Sequence, residues 1–243
     1  MASFEERFEV LARLHGAQGI ERLRRAHVVV IGVGGVGSWA AEAMCRSAVG
    51  VLHLIDMDTV SVNNTNRQSE ALVGTYGCAK VDVLSQRFQL INPDADIKVS
   101  CLRVTGENAP QLIPTGSFVL ECVDDVDAKA AIVCEAKKKG AFVVVSGGAG
   151  GRRDSTQIRL ADLSQVIGDP LLSKLRYTLR KQHGFPAGSM KRSKPFGIPA
   201  AFSLEAMEQG EGGTFGTSMA VTAAMGMAVA GAALSAITKG DKA

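Results

Sequence analysis

The chain has 243 residues, 46% of them apolar and 21% charged, which excludes a disordered or collagen-like polymer and leaves room for a sizeable core. Twenty-seven basic against 24 acidic residues give a net charge of only +3, too weak to name a nucleic-acid partner without local clustering. Five scattered cysteines (Cys45, Cys78, Cys101, Cys122, Cys134) contain no C-x-x-C pair, which argues against a disulfide scaffold or a thiolate zinc site and suits a reducing compartment.

The opening MASFEERFEV carries acidic residues and no long apolar run, so it does not read as a secretory signal. HVVVIG (27–32) is a continuous apolar, β-branched run, expected to be a strand buried on both faces. GVGGVG follows, then a helix over 38–48, a strand over 51–56 (VLHLID), a helix over 79–91 and a strand over 97–102 (IKVSCL). SFVLEC (117–122) predicts a fourth strand, 127–139 a helix and AFVVVS (141–146) a fifth strand. This alternation predicts an α/β, Rossmann-like fold, a mostly parallel sheet flanked by helices, with ligands at the carboxyl ends of the strands.

One domain is expected over 1–243, with a nucleotide-binding core at 27–150 and a substrate-side extension at 151–243. The extension should add a few strands, the first being TQIRLADL (156–163), and a helix over 170–181. HGFPAGSMKRSKPFGIP (183–199) has Gly, Pro and Ser without periodicity and reads as a long mobile loop. The final apolar stretch, 219–237, has no charge and reaches the length of a membrane span. It is mostly Ala, Gly, Ser, Thr and Met, and Glu205, Glu208 and Glu211 precede it. A buried, close-packing helix is therefore favoured over membrane association.

Gly32, Gly34 and Gly37 form G-x-G-x-x-G directly after a predicted strand and at the head of a predicted helix. Such glycines let backbone approach a phosphate at a helix N-terminus. Asp56 ends the second strand, where a carboxylate hydrogen-bonds a ribose hydroxyl. These features indicate an adenine nucleotide without choosing between NAD and ATP. Arg67 and Lys80 would neutralise charge on a triphosphate, and Asp124, closing the fourth strand, would hold Mg²⁺. Singly, Arg67 and Lys80 read as solvated charges and Asp124 as a helix N-cap. Together, after a glycine loop, they favour nucleotidyl transfer.

GVGGVGSWAAEA, LIDMDTVSVNNTNRQ, GCAK and ECVDD resemble the adenylating domain shared by ubiquitin-activating enzymes and the bacterial ThiF, MoeB and HesA proteins. That resemblance implies activation of a carboxylate with ATP and Mg²⁺. It implies that Gly34 and Gly35 approach the phosphates and that Asp56 binds ribose. Asp58, Asn64, Arg67, Gln68 and Lys80 would surround the phosphates, and Asp124 would be the magnesium ligand. It also implies a homodimer in which an N-terminal arginine, matched here by Arg13 in ARLHG, reaches the partner subunit's phosphates.

A narrower resemblance covers about 7–237. ARLHG, NNTNRQ, SGGAGGRRDSTQIRLADL, GDPLLSKLR and FSLE resemble the tRNA threonylcarbamoyladenosine dehydratases. Its specific part is 147–151 with Asp154, Thr156, Gln157 and Ile158, then Asp162-Leu163 and Asp169-Pro170-Leu171. Ser155 stands where the family pattern usually has Pro, and the stretch 205–216 is shorter than usual. The resemblance implies an ATP-dependent cyclisation of threonylcarbamoyladenosine beside the tRNA anticodon, with release of AMP and pyrophosphate. It further implies a cytoplasmic enzyme and cysteine desulfurase or sulfur-acceptor partners, with no role for DNA.

Basic residues cluster in the second half. Lys174, Arg176, Arg180, Lys181, Lys191, Arg192 and Lys194 have no Asp or Glu among them, and Arg152 and Arg153 lie upstream. This pattern suggests a tRNA-backbone footprint on a loop near the strand ends. Cys78 and Cys122 flank the site motifs, but free cysteines are commonly small buried hydrophobes. His15, His27, His53 and His183 show no metal-ligand spacing. Two alternative enzymes remain. A sulfur-carrier adenylyltransferase is weakened by the missing C-x-x-C pairs, and an NAD-linked oxidoreductase leaves Arg67, Lys80 and Asp124 unexplained.

Overall fold

The structure, a computed structural model, describes residues 2–187 and 194–240. In chain order the elements are α1 (Phe4–Arg25), β1 (His27–Ile31), α2 (Gly37–Cys45), β2 (Val51–Ile55), α3 (Lys80–Ile91) and β3 (Asp96–Ser100). Then follow α4 (Ala109–Leu112), β4 (Phe118–Glu121), α5 (Val126–Lys138), β5 (Phe142–Ser146), β6 (Ile158–Asp162), α6 (Pro170–Gln182), β7 (Pro199–Ser203) and α7 (Met219–Lys239). The strands form one sheet in the order β3-β2-β1-β4-β5-β7-β6, parallel except for the β6–β7 pair. The order reverses between β1 and β4, and at such a switch point the loops diverge to open a crevice at the carboxyl edge.

The pleat explains the two layers. In β1, Val28 and Val30 join the core under α1, α2, α3 and α7, while Val29 and Ile31 join the core under α4, α5 and α6. Both faces being covered, the strand reads as an unbroken apolar run. Helix starts are fixed by side chains that accept the orphan amides of the first turn. Ser3 and Glu6 form a capping box on α1, Asp125 accepts from Ala128 on α5, and Asp169 accepts from Leu172 on α6.

The apolar helix is a core element. Val221, Met225, Val229, Ala233 and Ile237 are buried, and the helix packs over β4, β5, β6 and β7. At Gly226 a Cβ would press into the Val36 carbonyl at the entry to α2, so the missing side chain sets how closely α7 and α2 approach. Half of its most apolar window is buried inside the protein.

The stretch expected to be a loop, 183–199, carries no helix or strand in its described residues up to 198 and reaches β7 at Pro199, which inserts between β5 and β6 (Val145↔Ala200, Ser146↔Ala201). Its described flanks are pinned. The amides of Phe196, Gly197 and Ile198 donate to the Asp162 carboxylate, and the Phe185 and Phe196 rings pack at 5.0 Å. Because β6 runs antiparallel, its last residue Asp162 faces the first residue of β7, Pro199, and the chain before Pro199 runs back toward the amino-terminal end of β5. The described flank 196–198 is therefore tied toward the edge opposite the crevice, whereas Lys191 and Arg192 lie outside the described residues.

Candidate active site

The crevice is built around the turn 32–36, which leads from β1 into α2. A Cβ on Gly37 would overlap the Gly32 carbonyl oxygen, so only glycine lets the chain double back this tightly into the helix. Asp56, one residue past β2, braces this turn: its Oδ2 accepts from the Val33 amide at 2.8 Å and its Oδ1 from the Asp58 amide at 2.9 Å. A carboxylate has about four acceptor positions, so capacity remains for a ribose hydroxyl.

The segment after β2 lays its side chains over the turn. The Arg67 Cγ lies 3.3 Å from where a Gly35 Cβ would sit. Its backbone is fixed by Trp39 Nε1, which donates to the Arg67 carbonyl at 2.9 Å. Its guanidinium donates to the Asn63 carbonyl and to Asn66 Oδ1. Gln68 is buried; its Nε2 lies 3.7 Å from where a Gly34 Cβ would sit, and its Oε1 has no hydrogen-bond partner. Asn64 is also buried, but its Oδ1 caps its own turn by accepting from the Ser61 amide. Lys80 heads α3, only 5% exposed, and its Nζ donates to Asp58 Oδ2 at 2.9 Å.

Asp124 is exposed just past β4. It is not the helix cap, since that role falls to Asp125. Among the described residues no group of three His, Cys, Asp or Glu side chains could hold a metal. Asp124 would be the carboxylate that holds a cation there, supplying an oxygen ligand of the kind Mg²⁺ takes.

Beneath Asp124 lies a pair that sequence reading missed. Lys129 and Glu121 are fully buried, with Nζ donating to Oε2 at 2.5 Å and to the Ser146 carbonyl at 2.7 Å. Glu121 Oε1 accepts from the Val123 amide at 2.8 Å. Burial pushes the Glu121 carboxyl up while the Lys129 ammonium pulls it back. The signal was a lone lysine within the apolar run AKAAIV on the helix that follows the strand ending in Glu121.

Several predicted residues lie elsewhere. Arg13 is on α1, 71% exposed at its side chain and paired with Glu9 one turn away. Arg152 is a correction: it is wholly buried, paired with Asp169 at 3.5 Å and donating to the Gly148, Gly168 and Glu205 carbonyls. It stitches the 147–151 turn to the head of α6 and cannot meet an RNA phosphate. Arg153 stands at the carboxyl edge, exposed and paired with Glu208. α6 starts at that edge, where Asp169 also accepts from Gly148, and runs away from it for about 20 Å. Lys174 and Lys181 are exposed along it, whereas Arg180 donates to the Pro186 carbonyl and stacks on Phe196. Lys194 is described; Lys191 and Arg192 fall outside the described residues.

Cys122 and His53 are both held in their neutral forms. Burial pushes the Cys122 thiol up to about 12 and the His53 imidazole down to about 4. His53 Nε2 and Ser100 Oγ share a 2.8 Å hydrogen bond between β2 and β3. A thiol that holds its proton is a poor nucleophile.

A glycine turn, two cations and two carboxylates around one switch point fit a nucleoside triphosphate. Comparison with known proteins agrees: the model of the ThiF family matches residues 8–241. The chain belongs to the ThiF family. Among curated members of that family, the tRNA threonylcarbamoyladenosine dehydratase of Haemophilus influenzae is 43% identical over 204 residues, spanning 84% of this chain and 77% of that protein. The Escherichia coli protein of the same name is 42% identical, over 84% and 76%. A solved structure of the Escherichia coli dehydratase, TcdA, in complex with ATP superposes with a TM-score of 0.92 at 38% identity, covering 99% of this chain and 97% of that one.

Proposed function

We propose that this protein is an ATP-dependent dehydratase that cyclises N6-threonylcarbamoyladenosine in tRNA. The observation that carries this reading is the near-complete match, over both chains, to a dehydratase solved with ATP. The match is supported by Arg67 and Gln68 beside the glycine turn and by Lys80 on Asp58, whose amide donates to the Asp56 that braces that turn.

The reaction follows from the charges. The threonylcarbamoyl carboxylate attacks the α-phosphorus of ATP, and pyrophosphate leaves as the acyl adenylate forms. A carbamoyl atom of the same side chain then displaces AMP, giving up its proton as the ring closes. The carboxylate oxygen departs on AMP, so the nucleoside loses one water in all. Lys80 and Arg67 offset negative charge that builds on the phosphates, and the turn amides add their dipoles. Asp124 would hold Mg²⁺, which when bound shares that neutralisation. Keeping both reacting groups on one tethered side chain removes most of the association entropy.

A homodimer follows from the same reading. Arg13 lies between Val10 and Leu14, both apolar and strongly exposed on α1. A second copy would cover them and bring Arg13 to the partner subunit's phosphates. We place the enzyme in the cytoplasm with tRNA as its macromolecular substrate, and with cysteine desulfurase or sulfur-acceptor proteins as the partner class. Arg153, Lys174, Lys181 and the basic segment holding Lys191, Arg192 and Lys194 are the proposed tRNA contacts.

Incubation with ATP and threonylcarbamoyl-modified tRNA, followed by mass spectrometry of the nucleosides, is expected to show the modified adenosine lighter by one water. AMP and pyrophosphate should appear in equal amounts. Adenylation of a small protein ending in Gly-Gly, with none on tRNA, would instead identify a sulfur-carrier adenylyltransferase. Neutralising Lys191, Arg192 and Lys194 together is expected to weaken tRNA binding and lower the slope of log K against log salt by about 2 to 3. A slope equal to that of the unaltered protein would remove this segment from the footprint.

A further inference from the structure

Three consecutive side chains behind the glycine turn carry buried polar atoms that meet no hydrogen-bond partner: Gln68 Oε1, Ser69 Oγ and both carboxyl oxygens of Glu70. Glu70 has no exposed surface. Ser38, in the first turn of α2, stands beside it, and its charged neighbours are Lys80 at the head of α3 and Asp56 at the end of β2. Lys80 in turn holds Asp58. A carboxylate this deeply buried and without a close hydrogen bond is expensive, so the group keeps its proton unless neighbouring donors or a cation offset the cost. Burial moves its pKa up to about 7; its own backbone amide, Lys80 and the Ser38 hydroxyl pull it down, and Asp56 pushes it up.

Resting on the nucleotide-site reading above, we propose that Glu70 is a positioning residue that sets ATP affinity through Lys80. As a neutral acid it leaves the ammonium charge to the phosphates; as a carboxylate it competes for that charge from behind. Glu70 itself touches neither nucleotide nor tRNA. The sign follows from linkage. Triphosphate favours the neutral acid, so ATP binds best at low pH, and above neutrality each binding event draws a proton onto Glu70.

The test is calorimetry of Mg-ATP binding without tRNA, from about pH 6 to about pH 8.5, on the unaltered protein and on Glu70→Gln. Mg-ATP phosphates do not titrate over this range. The unaltered protein is expected to bind about tenfold more weakly at the upper end, the change that follows if binding raises the pKa of one group by about one unit. It should also take up protons at the upper end, read from the dependence of binding enthalpy on buffer ionisation. Glu70→Gln should match it at low pH and hold that affinity throughout. A variant that keeps the original slope, or that loses affinity equally at every pH, overturns the proposal. If the variant does not fold, absence of proton uptake by the unaltered protein at high pH overturns it alone. Failure of the unaltered protein to bind Mg-ATP at any pH would remove the nucleotide-site reading itself, and this inference with it.

Discussion

Lys80→Ala is expected to lower adenylation by about a hundred- to a thousandfold, the usual consequence of deleting a fixed donor at developing phosphate charge. The size follows from where the ammonium sits. With Lys80 only 5% exposed and its Nζ held 2.9 Å from Asp58, its charge acts at a defined point with little water between. Alanine cannot supply a substitute, and a mobile solvent cation would have to be ordered at each turnover. The fold should survive. Asp58 is 54% exposed at its side chain, so its carboxylate returns to water when its partner is removed and little stability is lost with the pair. Asp58→Asn should lose activity too, but less than Lys80→Ala, because it removes the lysine's anchor and leaves its charge in place. The measurements are pyrophosphate release in the presence of modified tRNA and the thermal midpoint of each variant. Undiminished release by Lys80→Ala would take Lys80 out of the phosphate site.

How much of this was legible beforehand depended on whether local chemistry or tertiary contact decided each residue. The parallel strands stood out because β-branched runs such as HVVVI and FVVVS are buried on both faces and bounded by glycine or helix signals. Their observed ends fall within about two residues of those expected. The glycine turn was legible because a strand, three spaced glycines and a helix form one continuous signal. β7 left less trace: PAAFS is short, begins with proline and pairs with β5 at only two positions. The edge to which the flank 196–198 is tied was not legible, since it depends on the direction of β6 and no periodicity encodes that. Arg152 and Arg153 are chemically identical neighbours. Only the distant Asp169 makes the first a buried strut and leaves the second at the surface. The neighbouring acids Asp124 and Asp125 posed the same problem, and the helix start settles it by taking Asp125 as its cap. Glu70 follows Gln68 and Ser69 in a stretch without period, so nothing in the sequence marks it as a buried acid.

Lys129→Met should destabilise the protein by about 3–5 kcal/mol, the range for removing one partner of a buried ion pair. Lys129 and Glu121 have no exposed side-chain surface, so the surviving carboxylate cannot recover its hydration and must take up a proton or draw water into the core. The Ser146 carbonyl at the end of β5 loses its donor in the same step. The double variant Glu121→Gln with Lys129→Met should regain most of that loss, because the glutamine amide carries no charge and its oxygen still accepts from the Val123 amide. Urea unfolding distinguishes the two: the midpoint should fall sharply in the single variant and recover in the double, with the slope unchanged. Nucleotide binding supplies a second axis. The Glu121 bond to Val123 shapes the turn that carries Asp124, so the double variant should regain Mg-ATP affinity along with its stability. If stability returns while affinity does not, the lysine's charge contributes to the phosphate field directly. If the single variant unfolds at the original midpoint, the pair is not what joins the ends of β4 and β5, and packing of Val144 and Leu120 in the layer above must hold them instead.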